Sequence, residues 1–143
     1  MRATVLGHRP LGNALRIRVS PVSVPAGFPS PAQDYYDSDL SLDEHLIEDR
    51  EATYVVRVSG HSMTGAGIFD GDELVVDRSK TPRDGDVVVA VLDGELTVKR
   101  LRVTASGVVL QAENPEHPDV VVAELSELVV WGCVTWSLHR VYR

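Results

Sequence analysis

The chain has 143 residues and a mass of 15.6 kDa, which is the usual size of one domain. Its 43% hydrophobic and 24% charged residues argue against wholesale disorder. No run of about 20 apolar residues occurs, so the sequence predicts neither a membrane span nor a secretory signal. The single cysteine, Cys133, excludes an internal disulfide and a cysteine-cluster metal site. A single cysteine fits a reducing cytoplasm, where we expect the protein to lie, and any metal site would have to come from histidines and carboxylates alone. We expect no metal ion or other cofactor.

Charge is distributed unevenly along the chain. Residues 1–33 contain four arginines and no acid, which gives them a charge of +4. Because the net charge of the chain is −7, residues 34–143 carry −11. The acidic body disfavours direct DNA binding, because attraction to phosphates supplies most of the affinity of proteins for nucleic acids. Only two of the fourteen basic residues are lysines, Lys80 and Lys99.

The first 50 residues predict an arm followed by a short helix. Five of the eight prolines lie within the first 31 residues, which favours an extended arm with at most a short strand around Leu15 to Val19. The arm is too short and too rich in proline to form a helix-turn-helix. The segment Ser41-Leu42-Asp43-Glu44 matches a capping box and predicts a short amphipathic helix near residues 42–49.

After Ala52 the pattern changes to short strands rich in β-branched residues and separated by Gly, Pro, Asp or Asn. Asp93-Gly94 between two apolar runs predicts a tight hairpin, which places Lys99 on its returning strand. The chain is therefore predicted to be mostly β and antiparallel, with seven strands at Tyr54–Val58, Glu73–Asp77, Asp86–Leu92, Glu95–Val103, Gly107–Gln111, Val120–Ala123 and Leu128–His139.

Ser62 lies in a glycine-rich loop after the first of these strands. Such a loop allows the backbone to approach a bound carbonyl closely, as an acyl-transfer site requires, although most loops of this composition are plain turns. His61 is poorly placed as a base because neighbouring side chains in an extended chain point in opposite directions. The other histidines show no distinguishing pattern. Lys99, which is flanked by apolar residues, is the lysine expected to be buried, and desolvation can make a lysine neutral enough to accept a proton.

Several motifs together resemble the self-cleaving domain of the LexA/UmuD peptidase superfamily. They are the 37-residue separation of Ser62 and Lys99, Gly60-His61-Ser62-Met63, Gly71-Asp72, Gly85-Asp86 and residues 93–100 with the sequence DGELTVKR. Within the superfamily, residues 26–35 are similar to the cleavage region of the UmuD subfamily, and the similarity extends from about Val24 to the C-terminus. The resemblance implies a compact, mostly β catalytic domain with one short helix and an extended N-terminal arm.

The resemblance also implies a mechanism. Ser62 would be the nucleophile, Lys99 the general base, and the bond between Ala26 and Gly27 the scissile peptide. Cleavage would divide the chain into an arm, residues 1–26, and a peptidase domain, residues 27–143. The family features further imply promotion by a RecA filament on single-stranded DNA, a homodimer, and a product that serves a UmuC-like Y-family polymerase in SOS-induced translesion synthesis.

Two positions depart from the subfamily pattern. Ala26 replaces a cysteine that often precedes the scissile glycine, and His61 replaces a common aspartate; the histidine could change the local field around Ser62. Two other functions remain open: a LexA-like self-cleaving regulator without a DNA-binding domain, and a non-catalytic β adaptor of a polymerase. A signal peptidase also pairs serine with lysine, but the sequence lacks its membrane span. The apolar stretch Leu128–Val134 could form an interface, although a core strand, with Cys133 as a packing residue, is the preferred interpretation.

Overall fold

The computed structural model describes residues 1–7, 16–19, 38–122 and 128–143 of the chain. Within these ranges the backbone forms ten strands, one α-helix and a short 3-10 helix. The elements in chain order are β1 (Arg2–Gly7), β2 (Arg16–Val19), β3 (Ser38–Ser41), α1 (Leu42–Leu46), β4 (Thr53–Ser59), the 3-10 helix (Thr64–Ala66), β5 (Glu73–Asp77), β6 (Val87–Leu92), β7 (Glu95–Thr104), β8 (Gly107–Gln111), β9 (Val120–Val121) and β10 (Leu128–Leu138).

Eight of the strands form one antiparallel sheet that closes on itself. Their order is β1-β4-β5-β10-β6-β7-β8-β9, and β1 also pairs with β7 at a single position, Arg2 opposite Thr97. The first six strands of this order therefore make a barrel, in which β1 fills the seam between β4 and β7. Strands β2 and β3 form a separate two-stranded sheet.

The barrel encloses an aliphatic core because inward-facing residues alternate along its strands. One buried cluster joins β1, β4, β5, β6 and β7 to the loop after β4 and includes Ala3, Val56, Met63, Leu74 and Val98. A second cluster lies between β6, β7, β8 and β10. The chain thus buries the strand before Ser62 and the strand that carries Lys99 against the same interior.

The predicted fold class is confirmed: the structure is mostly β with one short helix. The predicted hairpin is present, because Asp93 and Gly94 both have positive φ angles, 50° and 84°, as a type I′ turn requires. Ser41 caps α1 by accepting a hydrogen bond from the backbone N–H of Glu44. The helix is shorter than predicted, because the backbone of Ile47 is already extended. Among the described residues, no helix is long and apolar enough to cross a membrane.

The N-terminal segment differs from the prediction. The sequence predicted an arm with at most a short strand around Leu15 to Val19, and β2 lies there, but Arg2–Gly7 also form a strand of the barrel. This pairing involves β4, which is about 50 residues away in sequence, so the local count of prolines could not reveal it.

The apolar stretch Leu128–Val134 is part of β10. This strand lies between β5 and β6, and Cys133 is buried in the second core cluster. Burial is the main cause of the raised pKa of the Cys133 thiol, which favours a packing role over a nucleophilic one. The core-strand interpretation is therefore confirmed.

Candidate active site

Ser62 lies in the loop that follows β4, at the mouth of the seam between β4 and β7. Its side chain is buried, with a residue exposure of 1%, and Met63 behind it belongs to the barrel core. The neighbouring His61 is exposed, in keeping with the expectation that its side chain points away from Ser62. The loop therefore presents one buried hydroxyl on a rigid support.

The Ser62 loop is held by main-chain bonds to the segment after β8. The N–H of Glu113 donates to the carbonyl of Ser62 at 2.8 Å, and the N–H of Gly65 donates to the carbonyl of Glu113 at 2.7 Å. The side-chain amide of Asn114 donates to the carbonyl of His61 at 2.7 Å. Three hydrogen bonds thus fix the position of the loop from one side.

Arg100 in turn holds Glu113. Its Nε donates to the Glu113 carboxylate, and one terminal nitrogen donates to the carbonyl of Gly85 at 2.7 Å. Both side chains of the ion pair are largely shielded from solvent, which strengthens their attraction relative to an exposed pair. Sequence reasoning missed Arg100, Glu113 and Asn114 as supports of the loop, because their contacts join segments far apart in the chain.

Lys99 projects from β7 and is only 8% exposed. Burial lowers the pKa of its ammonium, and the nearby Asp119 carboxylate opposes this shift in part. Lys80 differs in its exposure, in its partner and in the direction of its pKa shift. It is partly exposed and donates to Glu48 at 2.8 Å, a hydrogen bond that raises the pKa of Lys80. The expectation that Lys99 is the buried lysine is thus met.

The N-terminal residue joins these two side chains. The Met1 ammonium donates a 2.9 Å hydrogen bond to Oγ of Ser62. Burial, and then the charge of Lys99, lower the pKa of this ammonium, so Lys99 lies within electrostatic reach of the same group. Nζ of Lys99 makes no hydrogen bond with a residue in the described ranges, Ser62 included. Ser62 and Lys99 therefore share Met1 as a neighbour.

The Met1 carbonyl is also fixed. It accepts a hydrogen bond from the N–H of Val98 at 3.0 Å and another from Oγ1 of Thr97 at 3.0 Å. Neither Thr97 nor Met1 was predicted from the sequence to be a site residue. The alternation of Ala3, Thr4 and Val5 is a weak strand signal that the prolines farther along the chain obscured.

Two backbone N–H groups beside the serine are available to a ligand. In the part of the chain that the structure describes, the N–H groups of Ser62 and Met63 donate no hydrogen bond, although both residues are buried. Buried donors are normally paired, so unpaired ones next to a buried hydroxyl suit an oxyanion that forms during reaction. The Ala26–Gly27 bond lies outside the described residues.

Comparisons with known proteins identify the family of the chain. A family model described as Peptidase S24-like matches residues 18–135. SamA of Salmonella typhimurium is 42% identical over 116 residues, covering 81% of this chain and 80% of SamA. MucA of Escherichia coli is 46% identical over 116 residues, covering 80% of this chain and 79% of MucA. The LexA repressor of Delftia acidovorans is 44% identical over 109 residues, covering 76% of this chain but 48% of the repressor. The predicted family is confirmed: the chain belongs to the Peptidase S24-like family.

Proposed function

We propose that the chain is a self-cleaving serine peptidase of the UmuD type that cuts its own Ala26–Gly27 bond. The observation that carries this proposal is that Ser62 and Lys99 are both buried and both act on the Met1 ammonium, Ser62 through a hydrogen bond and Lys99 through its charge. Membership of a peptidase family supports the reaction class. Burial of Lys99 supports its role, because a base must lose its own proton before it can accept another.

The reaction proceeds by acyl transfer. Neutral Lys99 takes the proton of the Ser62 hydroxyl as Oγ attacks the carbonyl carbon of Ala26. The N–H groups of Ser62 and Met63 stabilise the oxyanion of the tetrahedral intermediate. Collapse of this intermediate breaks the peptide bond, and Lys99 returns the proton to the departing amine of Gly27. Water then hydrolyses the ester of Ser62, and the chain is left as residues 1–26 and 27–143.

Self-cleavage tests the dyad directly. The wild-type chain and the Ser62→Ala, Lys99→Ala and Lys80→Ala variants are incubated at neutral and alkaline pH, and the fragments are identified by mass spectrometry. We expect a fragment that begins at Gly27 in the wild type and in Lys80→Ala, formed faster at alkaline pH, and none in the other two variants. Cleavage at this bond in Ser62→Ala or Lys99→Ala would overturn the assignment, and an intact wild-type chain would favour the adaptor function.

The biological role extends the proposal. A RecA filament on single-stranded DNA accelerates cleavage by stabilising the pose in which the peptide enters the site, which is a shift in population and not new chemistry. The product forms a homodimer and serves a UmuC-like Y-family polymerase in SOS mutagenesis. The similarity to SamA and MucA covers 80% and 79% of those proteins, against 48% of the LexA repressor, and supports a role in SOS mutagenesis over that of a regulator. Cleavage measured with and without RecA, single-stranded DNA and ATP tests it: an unchanged rate would contradict the role of the filament.

A further inference from the structure

Strand β1 occupies a special position in the barrel. It pairs with β4 at five positions, from Arg2 opposite Ser59 to Gly7 opposite Val55, but with β7 at only one. Strand β4 leads into Ser62, and β7 carries Lys99. The seam that β1 fills is therefore bordered by the two strands that position the proposed dyad.

The polar contacts at the Ser62 end of β1 are those of a peptide bound as an added strand. A main-chain carbonyl, that of Met1, receives the N–H of Val98 and the hydroxyl of Thr97, and the main-chain nitrogen next to it lies 2.9 Å from Oγ of Ser62. Peptides that add to the edge of a sheet are held by main-chain bonds of this kind. The Val98 N–H and the Thr97 hydroxyl thus form a carbonyl-binding subsite.

The position of the Met1 nitrogen shows which of the two cleavage products would occupy the same side of the groove as β1. When a serine cuts a peptide bond, the released group is an amine, and this amine departs from a point next to Oγ. In the structure the main-chain nitrogen of Met1 occupies that point, and the chain leads away from it along β7 and β4. Met1 and Arg2 therefore lie where the first residues of a released peptide would lie.

We propose that β1 occupies the leaving-group side of the peptidase groove, so that the N-terminal segment of the chain competes with the peptide that is to be cut. The ligand class of the Thr97–Val98 subsite is then an extended peptide, bound through the carbonyl of the residue that follows the scissile bond. The inference rests on the proposed function and adds to it a self-inhibitory contact. While β1 is docked, the Met1 ammonium engages Oγ of Ser62 and fills the space that the substrate needs.

The fraction of molecules in which β1 is docked determines how much the rate of self-cleavage is lowered. A binding-competent state that is only a fraction of the population lowers the observed rate by that fraction. A reversible disulfide that holds β1 in place should therefore slow self-cleavage. Thr4 and Arg57 are suitable positions, because they are directly opposite each other on β1 and β4 and both are exposed. Directly opposed residues of an antiparallel pair are within the Cα separation that a disulfide spans.

The test compares two double variants of the full chain. In Thr4→Cys/Arg57→Cys the disulfide ties β1 to β4; in the control Arg57→Cys/Glu73→Cys it ties β4 to β5, and β1 stays free. For each protein, the rate of self-cleavage in the oxidised form is compared with the rate in the reduced form. The disulfides are mapped at the end of the reaction. We expect at least about a tenfold slower cleavage of the first protein when oxidised, and equal rates for both forms of the control. Equal rates for the oxidised and reduced first protein would overturn the proposal.

A second measurement does not depend on cleavage. The reactivity of the Met1 α-amine toward a reductive methylation reagent is compared in native and urea-unfolded wild-type chains that begin at Met1. We expect protection in the native chain, and partial loss of it in Thr97→Val, which removes one donor to the Met1 carbonyl. A native α-amine as reactive as the unfolded one would overturn the placement of β1. A protected α-amine in a chain that never cuts itself would support that placement while overturning the proposed peptidase function.

Discussion

Gly65 lies against the main-chain oxygen of Glu113. Its N–H donates to that oxygen at 2.7 Å, and a Cβ added at Gly65 would lie 2.5 Å from the same atom. No rotamer change can relieve such a clash, because the backbone fixes the position of a Cβ and the other partner is a main-chain oxygen. Glycine at this position thus allows the Ser62 loop to approach the segment after β8 closely enough to bond with it.

Gly65→Ala should therefore impair the reaction. The added methyl group must move the loop, and displacements of about 1 Å at a catalytic group can cost on the order of a hundredfold in rate. We expect self-cleavage to slow by at least about tenfold, with a lower melting temperature, measured by fragment formation and by thermal unfolding. Gly67→Ala is the matched control in the same loop: a Cβ there meets nothing within 4 Å, although the φ angle of 77° still makes alanine unfavourable. Equal rates for the two variants would contradict the steric explanation.

The contact between Gly65 and Glu113 illustrates what the sequence could not reveal. Features that depend on neighbouring residues were predictable: the Asp93-Gly94 turn and the Ser41 cap each follow from chemistry within a few positions. Ser62 and Lys99 were predicted from the resemblance of their motifs to those of a known family. The supports of the site join residues 48 positions apart for Gly65 and Glu113, and 61 apart for Met1 and Ser62. Local patterns carry no information about such pairings.

Arg100 should act on the reaction only through Glu113. Arg100→Lys keeps the charge, but a single ammonium cannot reproduce the planar group that reaches both the Glu113 carboxylate and the Gly85 carbonyl. We expect self-cleavage to slow several-fold, because the bonds of Glu113 to the Ser62 loop lose their support. Arg102→Lys is the control on the same face of β7; Arg102 bonds to Gln111 at 2.7 Å and does not contact Glu113. If both lysine variants slowed cleavage equally, a general loss of stability would be the better explanation.

Gly132 should be intolerant of a side chain for a different reason. A Cβ at this position would lie 2.6 Å from Cγ1 of Val76, which is fully buried, and 3.2 Å from Cγ of Arg78. Overpacking of a core typically costs about 1–3 kcal/mol. We expect Gly132→Ala to lower the free energy of unfolding by that amount in urea titrations. Gly71→Ala, at which a Cβ meets nothing within 4 Å, should cost only the smaller penalty of its positive φ angle. If Gly132→Ala lowered the free energy of unfolding no more than Gly71→Ala does, the strands β5 and β10 would be able to move apart without loss of stability.

The buried Lys99 should make stability depend on pH. Below its lowered pKa, Lys99 is protonated in both the folded and the unfolded chain, and the folded chain carries the full cost of a buried charge. Between that pKa and the unfolded value of 10.5, only the folded chain has lost the proton, so the free energy of unfolding rises with pH. Lys99→Met removes the titrating group. We therefore expect this variant to be more stable than its parent at neutral pH, with the difference shrinking as pH rises.

The measurement is urea unfolding at a series of pH values, with every chain carrying Ser62→Ala so that none can cut itself. Lys80→Met is the control of opposite sign, because the hydrogen bond to Glu48 raises the pKa of Lys80 in the folded chain. Its stabilising contribution is complete below the unfolded pKa of 10.5 and disappears as pH rises through the raised value. As pH rises, the free energy of unfolding of the parent should therefore approach that of Lys99→Met from below. Over the same range, the excess stability of the parent over Lys80→Met should disappear. If the stability difference between variant and parent changed with pH in the same way for both variants, Lys99 would have an ordinary pKa in the folded chain. The physical basis for its proposed role as the base would then be lost.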